Sequence, residues 1–190
     1  VSAHGHRDDA AITRLALAAA RGDDAAFAAW VRATQADVWR FLVHLDGSGR
    51  ADDLTQETYL RAVRALPRFA GRSSSRTWLL AIARRVVVDS IRRAQARPRL
   101  SDQEWDTVAE HDPRGGASRS AGFEADVDTR LLLAQLDPER REAFVLTQVL
   151  GYSYAEVAEI CACPVGTIRS RVARARDALL TIVREQDHAG

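Results

Sequence analysis

The chain has 190 residues, 46% of them hydrophobic, with 27 basic residues against 26 acidic ones and a formal net charge of +1. That length allows one ordinary domain or two small ones, the apolar content argues against global disorder, and the balanced charge selects no partner by itself. No apolar stretch is long enough to span a bilayer and the opening "VSAHGHRDDAA" lacks the charged-then-apolar plan of a signal peptide, so a cytoplasmic protein that meets no membrane is expected.

In chain order, "AITRLALAAARG" predicts a helix closed by Gly22, and "DDAAFAAWVRATQADVWRFLVHLDG" a longer one opened by Asp23 or Asp24. Phe27, Trp30 or Val31, Val38 and Phe41 recur there at helical spacing. "GSGR" breaks the pattern. "ADDLTQETYLRAVRALPRF" then starts with acids suited to the positive end of a helix and stops near Pro67. Its wheel turns Tyr59, Val63 and Leu66 inward and leaves Leu54, Glu57 and Arg61 outside. After the polar "AGRSSSR", "TWLLAIARRVVVDSIRR" predicts a fourth helix, because Leu79, Ile82 and Val86 at i, i+3 and i+7 outweigh the strand preference of "VVV". Trp78, Ala81, Arg85 and Arg92 share the other side. An aromatic with guanidiniums along one face suits stacking on bases and tracking a phosphate chain; Trp78 as a plain core aromatic is the competing reading.

From about Arg97 to Glu124 the periodicity disappears and proline, glycine and serine punctuate the chain. Charge is uneven here. Arg72 to Arg99 holds eight arginines against Asp89 alone, while Ser101 to Asp128 holds eight acids against Arg114 and Arg119. A basic block therefore precedes an acidic tether. The expected organisation is all-α: an N-terminal tail over 1–10, a helical domain over 11–97, a flexible linker over 98–125 and a second helical domain over 126–186.

Every basic residue is arginine, a bias of composition that also spreads guanidiniums over any exposed face. Cys161 and Cys163 form a C-x-C pair with no nearby histidine, a poor zinc site, and read as small apolar residues. His4 and His6 make only a loose metal-like pattern. Nothing resembles a nucleophile with its base, a P-loop or a dinucleotide fingerprint. Neither catalysis nor a metal or cofactor is expected.

"YSYAEVAEICACPVGTIRSRVARARDALL" parses as helix, turn, helix. Ser153 and Glu156 match the S-x-x-E capping box, Pro164 suits a helix start, and Gly166 permits a close approach. In the second helix Ile168, Val172, Ala175 and Leu179 form the inward face. Ser170, Ala173, Arg174 and Asp177 point away, flanked by Arg169, Arg171 and Arg176. A solvated surface helix and a helix lying in a major groove both fit this wheel.

The segment "LDPERREAFVLTQVLGYSYAEVAEICACPVGTIRSRVARARDALL" resembles region 4 of bacterial sigma factors, and "ADDLTQETYLRAVRALPRF" followed by "RSSSRTWLLAIARRVVVDSIRR" resembles region 2. Both occur in order with no room for region 3, the architecture of the extracytoplasmic-function (ECF, group 4) sigma factors. The resemblance implies a subunit that binds core RNA polymerase and directs initiation from promoter DNA. It would grip polymerase through Asp53, Leu54, Gln56 and Glu57. The −10 element would be opened and read, as a melted nontemplate strand, by Arg72, Ser73, Ser74, Ser75, Arg76, Trp78, Arg84, Arg85 and Arg92. For the −35 duplex it assigns Arg169, Ser170 and Arg174 to base edges, and Thr167, Arg171 and Arg176 to the backbone. Arg85 departs from the asparagine common in the family after "IAR". Many relatives are held by an anti-sigma protein, which makes that a compatible further partner. The alternative is a dimeric helix-turn-helix regulator acting without polymerase; it leaves "DDLTQE" and the basic fourth helix without a use.

Overall fold

The computed structural model describes residues 9–46, 49–96 and 129–189. The expected linker, His4, His6 and His111 lie outside these residues. Those described are helical or in turns, with no strand among them.

Helix α1 (Asp9–Ala19) begins two residues before the expected start and ends in a turn where Gly22 takes φ +95°. Asp23 then caps α2 (Asp24–Leu45): its Oδ1 accepts the Ala26 N–H at 2.9 Å, satisfying a donor that the first turn leaves free. Helix α3 (Ala51–Ala65) runs into a short 3-10 turn over Leu66–Arg68, where Pro67 ends the regular pattern. Ser74 caps α4 (Ser75–Ala96), its Oγ accepting the Thr77 N–H at 3.1 Å, and the "VVV" run is helical throughout.

Trp30 is the centre of this first unit. It has no exposed surface, and its ring meets those of Phe27, Tyr59 and Trp78. Its indole N–H donates to Ser75 Oγ at 3.1 Å, and the Ser75 N–H donates to Thr13 Oγ1 at 3.0 Å. One chain of polar contacts thus pins α2 to α4 and α4 to α1.

The second unit starts with a helix over 129–134, here α5, followed by α6 (Pro138–Phe144), capped by Asp137 with Pro138 in the first turn. A π turn over Val145–Val149 continues α6, and Gly151 at φ +77° turns the chain into α7 (Tyr154–Cys161). The capping box forms as expected: Glu156 N–H donates to Ser153 Oγ, and Ser153 N–H donates to Glu156 Oε2 at 2.8 Å. Ala162, left-handed at φ 52°, starts the turn to α8 (Val165–Ala189). Helices α7 and α8 form the helix-turn-helix, and Ile168, Val172 and Ala175 are buried as the wheel requires.

The units touch. Helix α4, already packed on α1, α2 and α3, also packs on α7, and α2 meets α6 and the π turn. Their buried residues form a continuous apolar cluster.

Candidate nucleic-acid interface

The first half of α8 presents Arg169, Ser170, Ala173, Arg174, Arg176 and Asp177 to solvent. Ser170 Oγ donates to the Thr167 carbonyl at 2.9 Å, and Arg176 Nη2 donates to Gln148 Oε1 at 2.7 Å. Thr167 is half-buried. Arg171 behaves differently. Its side chain is only 16% exposed, pairs with Glu139 of α6 and lies against Cys163 Sγ. It braces the helix-turn-helix from behind, whereas Arg169 and Arg174 are exposed.

The loop before α4 makes a hollow of about 260 Å³ lined by Arg68, Phe69, Ala70, Arg72, Ser73 and Trp78. Trp78 is neither fully core nor fully exposed. Half-buried, it stacks at a tilt on Phe69, centroids 4.8 Å apart, yet still walls the hollow. Ser73 lines that space too. Ser74 spends its oxygen capping α4, and Ser75 is fully buried beneath the Trp30 indole, so a base-binding role for Ser75 is contradicted.

The α4 arginines also divide. Arg85 and Arg92 are exposed. Arg76 is held between Asp9 at 3.4 Å and Asp37 at 3.3 Å, closing α1, α2 and α4 together. Arg84 Nε sits 2.7 Å from Oε1 of the buried Glu142 on α6, with Cys161 beside the pair. Burial works against charge on Arg84, but the Glu142 carboxylate outweighs it and raises the guanidinium above its ordinary value. Burial lifts Glu142 above the ordinary glutamate range against the pull of Arg84, and pushes the Cys161 thiol up to about 12.

On α3 the expected faces are partly exchanged. Leu54 is 6% exposed and belongs to the core with Ala51, Thr58 and Ala62, while Val63 is 47% exposed. Leu66 is buried and Tyr59 half-buried, as expected. Tyr59 Oη lies 2.7 Å from Thr34 Oγ1, and burial raises its pKa to about 12. Asp53 and Gln56 are exposed, and Glu57 is partly exposed, accepting from Arg61 Nε at 2.8 Å.

Residues 30–97 match the family described as Sigma-70 region 2, and residues 127–179 match Sigma-70, region 4. The ECF RNA polymerase sigma factor SigC of Mycobacterium tuberculosis is 54% identical over 183 residues, covering 96% of this chain and 97% of that protein. This chain is an ECF sigma factor. The ECF sigma-E factor of Escherichia coli K12 is 34% identical over 84% of this chain and 87% of its own. Among solved structures, CnrH in complex with the cytosolic domain of CnrY matches with a TM-score of 0.68 at 25% identity, covering 92% of this chain and 98% of that one. RpoE of Bartonella quintana with the anti-sigma factor NepR matches with a TM-score of 0.64 at 28% identity, covering 83% and 96%.

For this sigma factor, core RNA polymerase and promoter DNA are the partners, and the free-standing dimeric regulator is not favoured. No helix among the described residues is long and apolar enough to cross a membrane. The wheel missed three exposed apolar side chains near the start and outer face of α3: Trp39, Leu60 and Val63. Their signal was present in the sequence, since Leu60 continues the Asp53, Gln56, Glu57 stripe one turn on. Trp39 Nε1 donates to Asp52 Oδ1 at 2.8 Å and edges a groove with Gln35, Ala36, Arg40 and Thr55.

Proposed function

We propose that this sigma factor grips core polymerase through the outer stripe of α3, with Asp53, Gln56 and Glu57 setting register. Leu60 supplies the apolar contact first assigned to Leu54. A half-exposed leucine flanked by charges is the composition such an interface needs, because apolar area gives affinity and charge gives orientation. Its second unit reads the −35 duplex with Arg169, Ser170 and Arg174 toward base edges. Thr167 and Arg176 lie toward the backbone, and Arg171 reaches it only by releasing Glu139.

The −10 element is opened over α4 and its preceding loop. Arg72, Ser73 and Trp78 offer an aromatic wall with donors for one unstacked nontemplate base, and Arg85 and Arg92 follow the strand. The protein works beside polymerase in the cytoplasm and contributes no catalysis. The complexes formed by CnrH and by the Bartonella RpoE support an anti-sigma partner as well.

The exposed Arg169–Arg174 face on a helix-turn-helix is the observation that carries the reading. Transcription in vitro with core polymerase on a genomic promoter library tests it. Arg174→Ala should lower discrimination at one −35 position by about 1–3 kcal/mol. A uniform loss across all promoters would instead make Arg174 a phosphate contact.

A further inference from the structure

Helix α4 carries the −10 element in the reading above, and the inference that follows rests on that reading. Five arginines lie along the helix, and their surroundings separate them. Arg76 is shared by Asp9 and Asp37, Arg84 pairs with Glu142, and Arg93 Nε donates to the Asp89 carbonyl at 3.2 Å. Arg92 is exposed but lies in the field of the Asp89 carboxylate. Arg85 is exposed and makes no hydrogen bond or ion pair among the described residues. Its planar fork of donors is unspent.

The stripe around Arg85 is low. Ala81 lies one turn before it and Val88 nearly one turn after, both short and half-buried, so a flat base edge can come down on the guanidinium between them. Trp78, which walls the hollow for the captured base, is on the same stripe seven residues earlier. Seven residues of helix rise about 10 Å, which is about three stacked base steps at roughly 3.4 Å each.

The base that such a fork selects follows from what each base shows on its outer edge. Guanine presents two acceptors side by side, O6 and N7, which match two guanidinium N–H donors. Adenine puts an amino donor where O6 would be, so it meets the fork donor against donor. Cytosine shows an amino donor, and thymine one acceptor beside a methyl group. The O6 and N7 edge of guanine is open in both the paired and the melted strand, so the same contact survives opening of the −10 element.

We infer that Arg85 is a specificity-determining residue of this sigma factor, reading the O6 and N7 edge of a guanine about three base steps from the captured base, while Arg92 follows phosphate. The test is transcription in vitro by the full-length protein with core polymerase, on a promoter library randomised across the −10 region. Guanine should be favoured at one position about three steps from the captured base. Arg85→Ala, a surface change that leaves the fold intact, should flatten that position by about tenfold and leave the others in place. Arg85→Asn should move the preference there to adenine, whose N6 and N7 an amide matches. In a defined promoter, 7-deazaguanine pairs normally but lacks the N7 acceptor. At this position it should cost the unsubstituted protein about fivefold and cost Arg85→Ala nothing further. Placing it in one strand and then the other names the strand that is read. A loss in Arg85→Ala that is equal for all promoters, or a 7-deazaguanine that is silent in both strands, overturns the inference and makes Arg85 a phosphate contact. Failure of the underlying reading looks different. If Arg85→Ala and the exposed loop pair Arg72→Ala with Ser73→Ala all leave every −10 preference intact, α4 and its loop do not read the −10 element at all. If the loop pair alters a preference and Arg85→Ala alters none, the reading stands and the role of Arg85 falls.

Discussion

Trp30 has no exposed surface and still carries an N–H that must find an acceptor, which is why Ser75 sits where it does. Ser75→Ala removes that acceptor and leaves the indole donor orphaned in the core, a cost of about 1–3 kcal/mol. Urea unfolding should show the midpoint falling with little change in slope. The two leucines of α3 make the opposite point about polymerase contact. Leu54→Ala empties core volume and should cost about 2–5 kcal/mol in stability. Leu60→Ala, 49% exposed, should leave the thermal midpoint nearly unchanged and weaken polymerase association instead. If Leu60→Ala bound polymerase normally, the outer stripe of α3 would not be the gripping surface.

Between elements, the tie from α3 to α4 is ionic. Arg61 Nη1 lies 2.6 Å from Asp89 Oδ2, and this guanidinium holds the Asp89 carboxyl below its ordinary range. A depressed carboxyl stabilises the fold above its unfolded pKa and loses that contribution as pH falls through the folded one. Asp89→Asn should therefore cost little at neutral pH and flatten the acid limb of stability below the ordinary aspartate range. The pair is open to water, so the effect stays under about 1 kcal/mol. Helix α7 depends on its start: Ser153→Ala loses the reciprocal cap and should cost about 1 kcal/mol, read from the fall in the thermal midpoint of the full-length protein.

These elements also mark how far the sequence could be read. Caps, prolines and i, i+3, i+4 rows are local signals, so α2, α4, α7 and the inward face of α8 were legible. The face of α3 was not, because its buried stripe is Ala51, Leu54, Thr58 and Ala62, where small and hydroxyl residues fill the tight approach to its neighbours. Thr58 hides its polarity by donating to the Leu54 carbonyl at 2.7 Å. A hydrophobicity wheel ranks Tyr59 and Val63 above such residues and rotates the helix accordingly. The serine run misled for the same reason, since a buried Ser75 is polar in sequence and structural in space.

At the scale of the whole molecule, nothing in the sequence pairs Arg84 with Glu142, because each reads as an ordinary charged residue and the pairing exists only once two units have folded. Their contact has a consequence for unfolding. The apolar cluster runs from the first unit into α7 without a gap, so opening one unit exposes surface on the other. The full-length protein should melt in one calorimetric transition whose van't Hoff and calorimetric enthalpies agree. Glu142→Arg sets two guanidiniums against each other at the junction. Stranding a buried charge costs about 3–5 kcal/mol, which in a chain of this size corresponds to roughly 10 °C. The variant should relieve that repulsion by separation, so its melting profile splits and the second unit unfolds first. A single transition, lowered but unsplit, would mean that apolar packing alone holds α4 to α7 and that the ion pair is incidental. Two well-separated transitions in the unsubstituted protein would mean that the units are energetically independent despite their contact.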